Sequence, residues 1–538
     1  MKNLTAILSM LHESPDRSSA TRLFRGEPVL RWTLERLSRS KRIGTLAILC
    51  WEDQLESVRP VAEEERAYVL AKGPRVALPE IQTVAASRRW ADGWRGGLLG
   101  ACHFDLGFYA PWHHELAERV HSHAVVLVDP AAALVDPALL DALAAQADEH
   151  EELELCFSPA PPGLGSVLLK LSLLNKLAAA KVHSGRLLHY HPDQVSREAL
   201  AADSCAPVPS RVARAVGRFT MDSDRQIRIL SAATEPLNGQ LLSSGAEELV
   251  SRVQAARTPL ELPREIVLEL NTRRSTRPIF WPGNTLEINR PDMTPALAGK
   301  LIGELSSLDD IRLTLAGLGD PLLCPYLIPI IETARQAGVS ILVETDLHDV
   351  APEAIARLVA SPVDVVSVHL PAVSPQTYAK LMGCDGYTRV VENIRTFVSI
   401  RKSNGGSLPL IVPVFTKCPE NVGEMEAWYD QWLRALGSAV IRSPSDHAGQ
   451  IPDTAVADMT PPGRKACARL WNRLTILSDG TVVSCELDVL GRQPMGRIGA
   501  ESLRDTWQRR MESLRSDHRQ GQWNKHPLCG RCREWHRP

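Results

Sequence analysis

Six short apolar runs alternate with helical segments between residues 265 and 442, and this alternation constrains the fold more than any other feature of the chain. The runs are Glu265 to Leu270, Ile311 to Ala316, Val339 to Thr345, Val363 to Leu370, Leu410 to Phe415 and Ser438 to Arg442. Helical patterns separate them, for example Tyr326 to Ala337, Ala351 to Val359 and Thr388 to Arg401. Short continuous apolar runs read as strands buried on both faces, and strands joined by helices lie parallel. Six such units predict a partial (β/α)6 barrel of TIM type, with a doubly wound sheet as the alternative. In a barrel, the chemistry belongs at the carboxyl ends of the strands.

The flanking stretches differ in texture. From Asn3 to about Ser231, apolar runs (Leu4 to Leu11, Leu46 to Trp51, Ala124 to Val128, Leu153 to Phe157) alternate with helical patterns such as Pro28 to Leu37, so the class is again α/β. The expected division is a first domain over 1–235, a linker over 236–262 through Thr258-Pro259 and Leu262-Pro263, the barrel over 263–445, a Pro/Asp/Gly-rich linker over 446–465, and a Cys- and Trp-rich tail over 466–538. A length of 538 residues accommodates three such bodies. The net charge of −2 gives no basic footprint for nucleic acid or an anionic membrane. The run Asn3 to Leu11 is too short to span a bilayer. Eleven cysteines spread over so long a chain do not form a secreted disulfide scaffold, and the expectation is a reduced, cytoplasmic protein. Any partner, protein or small molecule, and the oligomeric state are not readable from this pattern.

Four of those cysteines cluster at the end, as Cys467-x17-Cys485-x43-Cys529-x2-Cys532. A C-x2-C puts two thiolates on one tight turn, and two distant cysteines complete a four-sulfur cage for zinc or for an iron-sulfur cluster. Spacing does not separate the two metals, and His536 is a competing ligand in Cys529-x2-Cys532-x3-His536. Asp479-Gly480 reads as a hairpin turn that returns Cys485 towards Cys467, and Ser502-x-x-Asp505 as a capping box opening a helix with Leu503, Trp507 and Leu514 on one face. Together with Cys467-Ala-Arg-Leu-Trp471, Gly496-Arg-Ile498 and Ser502-Leu-Arg-Asp505-Thr-Trp507, these pieces resemble the SPASM domain, an auxiliary-cluster module of radical SAM enzymes. The resemblance implies one 4Fe-4S cluster on Cys467, Cys485, Cys529 and Cys532. From Arg497 onward ten Lys/Arg face five Asp/Glu, which either surround the thiolates with positive charge or form a solvated face.

The middle region resembles the radical SAM superfamily. Ala316-Gly317-Leu318-Gly319-Asp320-Pro321 at the end of the second strand is similar to the Gly-Glu-Pro motif that receives the amino group of S-adenosylmethionine, which makes Gly317, Gly319, Asp320 and Pro321 the candidate cofactor-binding residues. The family's Cys-x3-Cys-x2-Cys belongs after the first strand, and there the chain has Arg274, Pro278 and Trp281 at the three ligand positions. None of these side chains supplies a thiolate to iron, and no cysteine occurs between Cys205 and Cys324. A barrel of this type without that cluster has no route for reductive cleavage of S-adenosylmethionine. Arg273, Arg274 and Arg277 either hold an anion at the mouth or are solvated.

Near the start, Arg17 to Leu23, Gly26-Glu-Pro28, Val135-Asp136-Pro137 and Arg218 to Asp222 resemble cytidylyltransferase-like nucleotidyltransferases of GT-A type. The position for the family's metal-binding Asp falls on Ala131, with Asp129 two residues away as a substitute, and the opening loop Glu13-Ser-Pro-Asp16 lacks a phosphate-cradling glycine. The whole order resembles fusion proteins of the spiro-SPASM type. It implies a non-catalytic or divergent binding or electron-relay protein linked to sugar or cell-surface biosynthesis. The alternative is an active enzyme, either a radical SAM enzyme with a different cluster or a sugar nucleotidyltransferase.

Overall fold

In the computed structural model, residues 3–96, 98–193, 198–256 and 260–537 are described. The chain divides into two compact units, Met1–Thr258 and Pro259–Pro538. Thr258-Pro259, where the expected linker passes, lies outside the described residues.

The first unit is built on β1 (Leu4–Ser9), β4 (Ile43–Cys50), β5 (Tyr68–Ala71), β6 (Ala124–Val128), β7 (Leu155–Phe157) and β8 (Val167–Lys170), with a small ribbon of β2 (Leu23–Phe24) and β3 (Glu27–Pro28) to one side. The sheet order is β5-β4-β1-β6-β8-β7. The first four strands are parallel, and β8 runs antiparallel to both β6 and β7. Alternation along β1 explains the two-sided core: Leu4, Ala6 and Leu8 enter one apolar cluster while Ile7 enters another. Residues 236–256 belong to this unit and do not form a free linker. The helix Ala246–Ala255 buries Leu249 and Val250 beside Phe219 and Met221, and Asp136 accepts the Ala246 N–H at 2.6 Å.

The second unit carries β9 (Glu265–Leu268), β10 (Arg312–Leu315), β11 (Ser340–Thr345), β12 (Val365–His369), β13 (Leu410–Thr416) and β14 (Val440–Arg442), all parallel and in sequential order. Each falls on a run expected to be a strand. Helices cross between them, including Pro295–Leu305, Leu327–Gln336, Pro352–Ala360, Tyr387–Ser403 and Met425–Leu436. Among the described residues β9 and β14 do not pair. The edge of β9 is instead taken by β15 (Arg473–Ile476), followed by β16 (Thr481–Val483) and β17 (Pro494–Arg497), giving one nine-stranded sheet. The tail, expected as a separate domain, therefore adds strands to the sheet of six parallel strands. Pairing satisfies the open N–H and C=O groups of the β9 edge. No helix among the described residues is long and apolar enough to cross a membrane.

Candidate functional site

The loop after β9 carries the first part of the site. Asn271 zips it to the turn after β10, donating from Nδ2 to the Asp320 carbonyl at 2.8 Å, while the Gly319 N–H donates to the Asn271 carbonyl at 3.1 Å. This positions Arg274 to donate to Asp346 at 2.6 Å and to lie over the Trp281 ring at 4.1 Å. Trp281 in turn donates from Nε1 to the Leu318 carbonyl at 2.8 Å. His369 donates from Nδ1 to Asp346 at 2.9 Å and accepts from Arg442 at Nε2 at 2.6 Å, so two arginines flank one His-Asp pair. Burial pushes the Asp346 carboxyl up, but Arg274 and His369 outweigh it and hold the group well below the usual carboxylate range. Glu344 follows the same pattern, with burial opposed by Arg442 and His369.

Two of the three positions that lack cysteine, Arg274 and Trp281, are thus stacked on each other, and Pro278 accepts the Trp281 N–H at 3.0 Å. Arg273 is paired with Asp292 at 2.8 Å, so neither Arg273 nor Arg274 stands as a bare anion receptor. The Gly317 to Pro321 turn is close-packed. Gly317 has φ +143°, and a Cβ there would meet Glu269 at 2.8 Å; at Gly319 it would meet Asn271 Oδ1 at 2.2 Å. The buried Asp320 carboxylate accepts from the Leu322 N–H at 2.9 Å, the Thr345 hydroxyl at 2.8 Å and the Asp346 N–H at 2.9 Å. Burial, with Asp346 nearby, raises its pKa. Of the four candidate cofactor residues, Gly317 lines the adjoining cavity; Gly319, Asp320 and Pro321 do not.

That cavity, about 570 Å³, lies at the carboxyl ends of the parallel strands and is walled on one side by the tail. Its size is in the ordinary range for small-molecule sites. Phe280, Trp281, Leu318 and Leu477 give it an apolar wall. Its charges are matched: Arg442 lies 3.4 Å from Glu344, Arg469 3.0 Å and Arg473 3.2 Å from Glu486, and Arg537 2.9 Å from Glu534. Arg469, Glu486 and Glu534 follow Cys467, Cys485 and Cys532 closely in sequence, so three of the four tail cysteines sit on turns that reach the cavity wall.

The tail thiols come from a 3-10 turn, the end of β16 and the last helix, and all four are half-buried and outside any disulfide. Cys467 interacts electrostatically with Cys485, Cys529 and Cys532. The Glu534 N–H donates to the Cys532 sulfur at 3.3 Å, and the Leu470 N–H to the Cys467 carbonyl at 3.3 Å. Burial raises all four thiol pKa values, with Cys529 pushed up to about 12, and Arg464 and Arg469 oppose this. The basic residues after Arg497 mostly pair with carboxylates instead, as in Arg510–Glu501 and Lys525–Asp517. The Gly480 turn, at φ +86°, returns β16 as expected, and Ser502 caps through the Asp505 N–H at 3.0 Å. His536 packs edge-to-face with Trp535, ring centroids 5.6 Å apart.

Residues 467–533 match the SPASM family model, described as an iron-sulfur cluster-binding domain. The tail has a donor set for such a group: four thiols, with the Glu534 N–H donating to the Cys532 sulfur. Among the described residues, no group of three or more His, Cys, Asp or Glu side chains converges tightly enough to hold a metal ion. A single tetrahedral zinc would require sulfurs within about 4 Å of one another, given Zn–S bonds of about 2.3 Å. A cluster is wider, because each thiolate bonds a separate iron.

An uncharacterized protein of Treponema pallidum (strain Nichols) is 25% identical over 313 residues, 55% of this chain and 82% of that protein. Three solved structures are also similar. BtrN in complex with AdoMet and 2-DOIA shares 18% identity over 51% of this chain and 93% of its own, at a TM-score of 0.35. Streptococcus suis SuiB bound to precursor peptide SuiA shares 12% over 54% and 80%, at 0.40. A cytidylyltransferase from Leptospira borgpetersenii serovar Hardjo-bovis shares 13% over 48% and 98%, at 0.32.

In the first unit, Ala131 is buried in the core and its N–H donates to Asp129 at 2.9 Å. Burial and the nearby Asp222 raise Asp129 to a pKa of about 7. Glu13, held by the Ser19 N–H and hydroxyl at 3.0 Å each, is raised by burial to about 8, with Asp129 adding to the shift. This grouping of Glu13, Asp129 and Asp222 is not visible as a motif, because the three lie far apart in the chain.

Proposed function

We propose that the chain is an iron-sulfur protein that holds one 4Fe-4S cluster on Cys467, Cys485, Cys529 and Cys532 and uses its barrel lumen to bind a ligand, not to cleave S-adenosylmethionine. The observation that carries this reading is the fate of the positions after β9: Arg274 and Trp281 stack and are tied to Asp346 and Leu318 where a radical SAM barrel needs thiolates. A cluster on the tail thiols would supply one-electron transfer. The residues around it do the rest: Arg469, Glu486 and Glu534 join the thiol turns to the lumen wall, and Arg442, which lines the cavity, is held by His369 and Glu344. The role that follows is a binding or electron-relay partner. For the first unit we propose a retained fold with altered chemistry, because Ala131 stands at the metal position and Asp129 is engaged by its N–H.

Anaerobically prepared protein should contain about four Fe and four sulfide per chain. About eight, or reductive formation of 5′-deoxyadenosine, would overturn the lumen reading; one zinc with no iron would overturn the cluster. Mg-dependent pyrophosphate release from CTP would overturn the reading of the first unit.

A further inference from the structure

Among the described residues, the half-buried arginines around the tail thiols are paired with carboxylates, and Arg464 is the exception. Beside Cys467 and Cys485, Arg469 lies 3.0 Å and Arg473 3.2 Å from Glu486. Beside Cys532, Arg533 is taken by Asp446 at 2.8 Å, Asp453 at 2.6 Å and Asp458 at 3.4 Å, and Arg537 by Glu534 at 2.9 Å. Arg464 is half-buried too, yet its partners are neutral. Its Nη2 donates to the Cys529 carbonyl at 2.6 Å, and its guanidinium lies over the Trp523 ring at 4.8 Å. A carbonyl and an aromatic face hold a cation in place without cancelling its charge.

The tie to the Cys529 carbonyl fixes where that charge sits. The carbonyl oxygen and the sulfur of one cysteine are at most about 5 Å apart, so the guanidinium is held within about 8 Å of Cys529 Sγ. Its field also reaches Cys532, and at both sulfurs it favours the thiolate against burial, which disfavours it. Four thiolates bring negative charge into a half-buried place, and one-electron reduction of a cluster held there adds more. Charge in such surroundings is stabilised by a nearby opposite charge, and reduction potentials follow the net charge around a cluster.

We propose that Arg464 is the counter-ion of the Cys529 and Cys532 side of the cluster site and raises the cluster's reduction potential by favouring the reduced state. This deepens the reading of the tail as a one-electron site and rests on it. The test uses the intact chain, purified anaerobically, with iron and sulfide counted and the reduced cluster followed by electron paramagnetic resonance during a mediated titration with dithionite. One electron passes from dithionite to the cluster, and no thiolate leaves. Arg464→Met keeps an unbranched stem beside Trp523 and removes the charge. It should shift the reduction equilibrium at least tenfold towards the oxidised form, which for one electron is a midpoint lower by about 59 mV or more. Arg464→Lys keeps the charge and should recover most of that shift. Lys465→Met removes an exposed charge next door and should move the equilibrium less than twofold, because solvent and salt screen it. An unmoved midpoint in Arg464→Met at full iron content overturns the assignment. So does an equal fall in Arg464→Met and Arg464→Lys, which would assign the effect to the carbonyl tie, or an equal fall in Lys465→Met, which would make it a general charge effect. If Arg464→Met loses its iron, retention by Arg464→Lys supports the counter-ion, and loss from both overturns it. A parent chain without iron sinks the cluster reading itself, whereas about four irons with an unmoved midpoint sink the role of Arg464 alone.

Discussion

Arg274 occupies the first of the three positions that lack cysteine, and the structure gives it a full set of partners, Asp346 beside it and the Trp281 ring beneath. Removing it leaves a fully buried carboxylate without its cation, so Arg274→Ala should cost about 3–5 kcal/mol in urea unfolding. Arg274→Lys should restore only part of this, because a lysine neither forks nor stacks in the same way. A loss below about 0.5 kcal/mol would show that the stack is incidental. Chain spacing identifies position 274, but Asp346 lies 72 residues further on, and nothing local to either residue announces the pair. Glu13 makes a second prediction at this scale. Its folded pKa of about 8 is raised by burial, so the folded state holds the proton more tightly than the unfolded chain does. Its contribution is fully present below about pH 4.5 and is lost as the pH rises through 8. Glu13→Gln should therefore raise thermal stability at pH 9, on the order of 3 kcal/mol, and change little at pH 4. An equal effect at both pH values would contradict the burial of a protonated acid.

The elements were legible where periodicity is local. The six parallel strands of the second unit coincide with apolar runs, and Asp479-Gly480 forms its turn, with the Thr481 N–H donating to Asp479 at 2.9 Å. What could not be read was which edge β15 would join, since a four-residue strand carries no register information until the edge of β9 is present. Gly480 is the residue on which this depends, because a Cβ at φ +86° would sit 2.9 Å from Leu297. Gly480→Ala should destabilise the second unit by about 1–2 kcal/mol in urea unfolding, and a neutral result would mean the hairpin shifts freely. The stretch 446–465 reads as a linker from its composition, yet Arg533, next to Cys532, bonds Asp446, Asp453 and Asp458 and fastens it down. Arg533→Ala should speed proteolytic cleavage between residues 446 and 463 several-fold, whereas an unchanged cleavage rate would show the strap is held elsewhere.

At the scale of the molecule, the thiols of the tail come from three places separated by up to 65 residues, and Cys467 lies near enough to the other three to influence their ionisation. The cysteine spacing singles out the four thiols proposed here as ligands, because metal ligands are few chemical types at characteristic intervals. The lumen did not announce itself, because its walls are drawn from β9, β10, β11, β13, β14, the strap and the tail at once. The near-neutral charge of the chain is repeated inside, where arginine and glutamate pair along the cavity wall. The central claim is that this chain carries one cluster, in the tail, and none in the barrel. Quantifying iron and acid-labile sulfide in anaerobically purified protein, alongside Cys529→Ser/Cys532→Ser, tests it most directly. The account predicts about four of each per chain in the parent and a loss of most of both in the double variant; about eight of each, or about four retained in the variant, would contradict it.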